Sequence, residues 1–232
     1  MQYPSQILIV LTSHGTLGPE PGTGGPTGFW LEELATPYYV FKDAGAAVTL
    51  ASPRGGKPPM DPLSAEPENR TGATRRFDGD EEAQSLLQNT EPLGALDPRR
   101  FDAVFYPGGH GPLWDLLDNA DSIRLIEALW RAGKPVAAIC HAPVALLNAR
   151  DEHGEYLVKS RRVTCFSNKE EAAVGMTEAV PLLVENALSE RGGVYSSAPD
   201  FEEHAVRDGR LICGQNPASS AAAARLLLDS LQ

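Results

Sequence analysis

A three-layer α/β sandwich, with helices covering both faces of a mostly parallel sheet, is the fold class this 232-residue chain predicts. Three observations carry that expectation. Short apolar runs alternate with longer helical stretches nearly from end to end, the pattern of a parallel sheet wrapped by crossover helices. The composition, 42% hydrophobic and 22% charged, is ordinary for a packed core. Finally, Cys140 stands where a buried strand breaks sharply toward a helix, and parallel sheets gather their chemistry at such strand ends.

The elements follow in chain order. Gln6–Ser13 (QILIVLTS) reads as a first buried strand, and a Gly/Pro-rich loop over 14–26 follows it. Helical spacing runs from Thr27 to Ala44, with Pro37 inside it to kink the helix or split it in two. Ala46–Ala51 is a second strand. Residues 53–79, rich in Pro, Gly and charge, read as an elaborated surface loop, and Asp80–Asn89 as a short helix led by acids. Asp102–Tyr106 is a third strand, ending in PGGHG, and Ser122–Arg131 an amphipathic helix stopped by Gly133. Val136–Ile139 is a central strand. Arg162–Ser167 reads as another strand, with helical sequence around 169–190. Asp208-Gly209 between AVR and RLICG signals a hairpin. An Ala/Leu-rich helix from Pro217 to Leu231 closes the chain. No repeat or linker interrupts this series, so residues 1–232 are expected to form one domain, elaborated at about 53–98.

Charge and cysteine usage narrow the function. A formal net charge of −11 disfavours nucleic acid and anionic membrane surfaces as partners. No apolar run reaches bilayer length, and MQYPSQILIVLTS lacks a basic leader region and a cleavage site. A soluble, cytoplasmic protein is expected. Three widely spaced cysteines make neither a disulfide framework nor a zinc-ligand pattern. Cys165 and Cys213, in apolar strand-like segments, read as buried core residues.

The chemistry concentrates at PVAAICHAPVALL. Ala138 and Ala142 flank Cys140 at two residues on either side, giving the small-x-nucleophile-x-small pattern that a strained elbow requires. Amides at the following helix start are expected to lower the thiol pKa. His141, adjacent in sequence, reaches the sulfur only if the turn is sharp; such a base needs a third group to orient it. Glu170 and Glu171, just past the Cys165 strand, are the candidates, against the alternative that they only complement a helix dipole. In Pro107-Gly108-Gly109-His110-Gly111, glycines let backbone N–H groups approach a ligand, and the Gly109 amide could pair with the amide after Cys140 as an oxyanion hole. Glu33 projects beside apolar neighbours in TGFWLEELATPYY, where a carboxyl pKa rises, whereas Glu32 could face solvent. His14 and His110 lie in Gly-rich loops without metal-ligand spacing, so no metal site is expected.

Taken together, the glutamate helix, the PGGHG loop, the AxCHxP elbow, FSNxEE and the NPASS segment at 216–220 resemble the ThiJ/PfpI superfamily over nearly the whole chain. Its fold is the flavodoxin-like, class I glutamine amidotransferase-like sandwich. TGFWLEELATPYYVF, GGHG followed by Trp114-Asp115, and the long 53–98 region look like its glyoxalase III and heat-shock-chaperone branch. The resemblance implies Cys140 as nucleophile, Glu33 as the carboxyl that contacts it, His141 as the branch histidine and Glu171 as its orienting acid. Gly109 and the His141 amide match the oxyanion donors, with Gly108 and His110 completing the substrate loop. The Lys169-Glu170 pair departs from some branch members. The implied activity needs no cofactor: methylglyoxal, a small 2-oxoaldehyde, and water become lactate through a Cys140 hemithioacetal, an enediol and a thioester. A stress-response holdase or protein deglycase, and a cysteine-dependent amidase or peptidase, are the alternatives. A low-pKa thiol beside an acid also admits oxidation to sulfinate and redox sensing. The resemblance further implies a homodimer.

Overall fold

Residues 4–18 and 24–231 are described in the computed structural model. The first strand, β1 (Gln6–Val10), is fully apolar after its first residue and lies inside a seven-stranded sheet. It pairs in parallel with β2 (Ala47–Ser52) on one side and with β4 (Ala103–Tyr106) on the other. β4 continues in parallel to β5 (Val136–Ile139), and β5 to β9 (Leu211–Gly214). Two edges complete it: the two-residue β3 (Glu91–Pro92) runs parallel beyond β2, and β8 (Ala205–Asp208) antiparallel beyond β9. The order is β3-β2-β1-β4-β5-β9-β8. Its parallel core has the flavodoxin-like sequence of neighbours, with the strand order reversing between β1 and β4, and ligands bind at that reversal, outside the strand C-termini.

Alternate residues along each strand feed two separate cores. Ile7, Ile9, Phe105, Ala137, Ile139 and Ile212 face α1 (Leu31–Asp43) and α8 (Ser220–Asp229). Leu8, Val10, Val104, Tyr106, Ala138 and Cys213 face α5 (Ala120–Arg131) and the 3₁₀ segment Ala142–Leu146. Burial on both faces is what makes these strands read as continuous apolar runs.

Several expectations change. Pro37 does not split the first helix, which runs unbroken as α1; in its second turn the ring forgoes one N–H bond, and burial of Leu34, Ala35, Tyr38 and Phe41 outweighs that loss. The 53–79 segment is not simply loop. It folds into 3₁₀ turns at Pro62–Ala65 and Pro67–Asn69 and a helix, α2 (Gly72–Asp78), opened by a Thr71/Thr74 capping box. That box was missed because its third-position partner is Thr, not Glu or Gln. The short helix expected at 80–89 is α3 (Glu81–Gln88), capped by Asp80, and a single turn, α4 (Pro112–Asp115), follows the loop after β4. Of the strand expected over Arg162–Ser167, only β6 (Arg162–Val163) forms, paired with β7 (Val194–Tyr195) outside the main sheet. The place beside β5 is already filled by β9, so residues 164–167 cross the elbow instead, with the Phe166 amide donating to the Cys140 carbonyl at 2.9 Å. The helical sequence around 169–190 divides into α6 (Asn168–Ala173) and α7 (Val184–Glu190). The Asp208-Gly209 hairpin joins β8 to β9, with Gly209 at φ 59°. The Gly/Pro loop expected over 14–26 lies partly outside the described residues. No helix among them is long and apolar enough to cross a membrane.

Candidate active site

Cys140 follows the last residue of β5 with φ 58°, a left-handed backbone that a non-glycine side chain rarely accepts. The conformation is held from both sides, because the Cys140 amide donates to Gly214 of β9 at 2.9 Å and its carbonyl accepts from Phe166. The thiol is therefore turned off the C-terminal end of the sheet, one strand away from the reversal between β1 and β4. Close packing explains the small neighbours. A Cβ on Gly108 would lie 2.7 Å from the Cys140 Cβ and 2.8 Å from Glu33 Oε2.

Three segments converge on the sulfur. From β4 comes the glycine loop: Gly109, at φ +88°, aims its N–H at the sulfur, as does the amide of His141. A Cβ on Gly109 would lie 2.4 Å from the Gly28 carbonyl oxygen, so the loop and the lead-in to α1 lock together. From the first turn of α1 comes Glu33, fully buried, whose Oε2 accepts from the Gly108 amide at 2.7 Å. Its Oε1 is buried with no nitrogen or oxygen partner, and the carboxyl interacts with the Cys140 thiol. From the elbow itself comes His141, with Nδ1 3.3 Å from the sulfur.

Adjacent residues meet here because the elbow, not a helix, connects them. On its far side His141 Nε2 lies 2.6 Å from Glu171 Oε2. The other oxygen of Glu171 is 2.9 Å from His110 Nε2. One carboxylate thus accepts from two imidazoles whose centroids are 4.2 Å apart. With Nε2–H donated to Glu171, His141 presents the lone pair of Nδ1 to the thiol.

The choice between Glu170 and Glu171 is made by the cap of α6. Ser167 and Glu170 form a reciprocal capping box, and Glu170 turns away to accept from Phe201 N at 2.9 Å and Asn216 Nδ2 at 2.8 Å. Glu171, one residue on, faces the histidines. Glu32 does not face open solvent either; its oxygens accept from Thr36 and Thr71. His14 stacks on Trp114 at 5.1 Å, with Nε2 3.0 Å from the Gly18 carbonyl.

The electrostatics correct one expectation. Burial and the Glu33 carboxylate push the Cys140 thiol well up, and the Gly109 and His141 amides offset only part of this. The helix expected after the elbow is a single short 3₁₀ segment, too short to supply a strong dipole. Burial likewise raises Glu33 to about 8, against hydrogen bonds from Cys140 and Gly108 that lower it. Each group resists ionising beside the other's charge, so the two titrate as a pair. Near pH 7 the pair therefore keeps both protons, the carboxyl of Glu33 held up at about 8 and the thiol well above its ordinary value, so a base must take the thiol proton as the sulfur attacks. Burial and neighbouring His110 lower His141 to about 4, leaving it neutral near pH 7. Burial raises Glu171, but hydrogen bonds to His110 and His141 outweigh it and hold the carboxylate at about 2.

Ligand atoms of His110, His141 and Glu171 lie within 4.8 Å of one another, a spacing that can hold a cation. Both ring N–H groups already bond that carboxylate, so the arrangement reads as a hydrogen-bonded cluster. Above it opens a cleft of about 870 Å³. Cys140, His141, Gly109 and His110 line its floor, and Trp30, Phe166 and Phe201 stand among its walls. Sequence reasoning missed these aromatics; nothing in their spacing marks them, because each reaches the cleft from a different segment.

Comparison with known proteins fits this geometry. The DJ-1/PfpI family profile matches residues 26–230. Glyoxalase 3 of Candida albicans is 30% identical, the match covering 98% of each chain. The glutathione-independent glyoxalase hsp3101 of Schizosaccharomyces pombe is 28% identical over 100% of this chain and 98% of its own. The crystal structure of glyoxalase III from Candida albicans superposes with a TM-score of 0.91 at 27% identity, covering 98% of both chains.

Proposed function

The chain belongs to the DJ-1/PfpI family, and from that premise we propose that it is a glutathione-independent glyoxalase with Cys140 as nucleophile. The observation that carries the reading is the sulfur's position: on a left-handed elbow, facing a protonated Glu33, the Nδ1 of a neutral histidine and two backbone N–H groups. Relatives that align along the full chain bear the glyoxalase name, which supports the same reaction here.

The steps follow from the groups present. His141 Nδ1 takes the thiol proton, and Glu171 stabilises the imidazolium at 2.6 Å. The thiolate attacks the aldehyde carbon of methylglyoxal, forming the C–S bond of a hemithioacetal. Its alkoxide lies against the amides of Gly109 and His141 and takes the Glu33 proton. Glu33, now a carboxylate, removes the hydrogen from the former aldehyde carbon; the electron pair forms the enediolate. The hydroxyl proton passes to the second oxygen, and Glu33 returns its proton to the second carbon. One carbon is oxidised to a thioester as its neighbour is reduced, so no external electron acceptor enters. Water then attacks the thioester, its proton passing to the Glu33 carboxylate and restoring the acid, while His141 returns its proton to the departing sulfur and the product leaves as lactic acid, which ionises to lactate. The protein's own thiol takes the part that glutathione would otherwise supply. A carboxyl raised to about 8 suits Glu33 to both giving and taking a proton near neutral pH.

The test is loss of methylglyoxal and appearance of lactate in glutathione-free buffer. Wild type is expected to turn over and Cys140→Ala to fall to the uncatalysed rate. Equal rates for the two proteins would discard the reading.

A further inference from the structure

The cleft is far larger than methylglyoxal. At roughly 20–30 Å³ per heavy atom, its five heavy atoms occupy on the order of 100 Å³, against about 870 Å³ available. What surrounds the unused space is apolar: Trp30, Leu63, Phe166, Val174, Met176 and Phe201. The charged residues on its walls outside the floor cluster are acids, Glu32, Asp61 and Glu68, and no Lys or Arg lines it among the described residues.

One wall is continuous with the catalytic groups. The His141 ring lies 4.7 Å from that of Phe166, and Phe166 lies 6.2 Å from Phe201. This aromatic file leads from the sulfur to the mouth. Phe201 is half exposed and sits at φ 62°, a strained backbone for a bulky residue. It is held there by the buried carboxylate of Glu170, which accepts from the Phe201 amide at 2.9 Å while also bonding Asn216 and the Ser167 cap. Strain that a buried carboxyl group maintains, at the rim of a cleft and on a half-exposed side chain, points to a ligand-facing role rather than to core packing.

We propose that this wall is a side-chain subsite, and that the site takes 2-oxoaldehydes bearing an uncharged aromatic or branched apolar group, with Phe201 as the specificity-determining residue and Glu170 as the residue that positions it. The inference rests on the glyoxalase reading and names its substrate class. The aldehyde carbon sits at Cys140 and the apolar group lies against Phe166 and Phe201. The acids and the absence of lining cations select against substrates with a carboxylate or phosphate.

Phenylglyoxal is the reactive probe. Its kcat/KM is expected to exceed that of methylglyoxal roughly tenfold or more, the factor that burying a phenyl ring supplies. 4-Carboxyphenylglyoxal is expected to lose most of that advantage. In Phe201→Gly, which suits the left-handed backbone, the phenyl-to-methyl ratio should fall severalfold, and Phe201→Tyr should restore it. A binding measurement separates this inference from the reaction. On Cys140→Ala protein, calorimetry should show acetophenone binding at least tenfold more tightly than acetone, with benzoate weaker than acetophenone. Acetophenone no tighter than acetone, or a ratio unmoved by Phe201→Gly, would overturn the subsite. A wild type that consumes neither aldehyde yet binds acetophenone preferentially supports the subsite and removes the glyoxalase reading alone.

Discussion

Glu33 is a fully buried acid, and it sets the behaviour of the site. Its pKa rises from 4.5 to about 8 through burial, so the fold holds a proton that the unfolded chain releases above pH 4.5. The stability this contributes is complete below pH 4.5 and is lost as pH rises toward 8. His141, lowered from 6.5 to about 4, slopes the other way: its contribution is complete above pH 6.5 and lost as pH falls through 4. Between pH 6.5 and 8 only the Glu33 slope remains of these two. Glu33→Gln should therefore lose less Tm than wild type across that window, measured by calorimetry; parallel losses would contradict the assigned protonation. The same variant, unable to exchange a proton with substrate, is expected to lower kcat about 10²-fold or more, with thiol labelling at Cys140 retained.

At the scale of elements, the site depends on how ends are made. α6 is six residues long and presents Glu171 only because the Ser167/Glu170 box fixes its first turn. Ser167→Ala should cost about 1 kcal/mol, read in urea denaturation, and should weaken kcat more than KM because the histidine loses its oriented partner. A substitution without effect on either would show that Glu171 is held by other contacts. The β4 loop depends on glycine in another way. Gly109→Ala places a Cβ 2.4 Å from the Gly28 carbonyl and imposes an L residue on φ +88°. It is expected to destabilise by about 1–3 kcal/mol and, by shifting the loop, to turn the N–H of residue 109 away from the sulfur, so that kcat falls even at temperatures where the protein stays folded.

For the molecule as a whole, the seven-stranded sheet ties residues 6 to 214 into one hydrogen-bonded layer with a core on each face. The groups of the candidate site come from α1, the β4 loop, the β5 elbow and α6, which lie far apart in sequence and meet only at the sheet's C-terminal edge. Loss of the sheet should abolish all of them together. Thermal unfolding followed by far-ultraviolet circular dichroism and by tryptophan fluorescence is expected to give coincident transitions; two separated transitions would show that residues 1–232 are not one domain.

Much of this was legible in the chain. Strands buried on both faces write themselves as apolar runs, and a nucleophile elbow must have small neighbours, so β1, β4, β5 and Cys140 could be located from local sequence. Other features were illegible because competition in space decided them. Residues 162–167 have strand character, but β9 occupies the neighbouring edge, and the segment became the strap that fixes Cys140 and delivers Phe166. Glu170 and Glu171 are chemically identical neighbours; only the geometry of one cap turns the first toward Phe201 and the second toward His141. The thiol's environment was misjudged for the same reason, since burial beside Glu33 exceeds the pull of nearby amides, and burial is a property of the assembled fold. The sequence by itself determined the layered fold, the Cys140 elbow and the glycine loop beside it, because each rests on local sterics and periodicity. The tertiary structure alone decided the proton arrangement around the sulfur and the shape of the cleft above it, because both depend on how distant segments exclude water from one point.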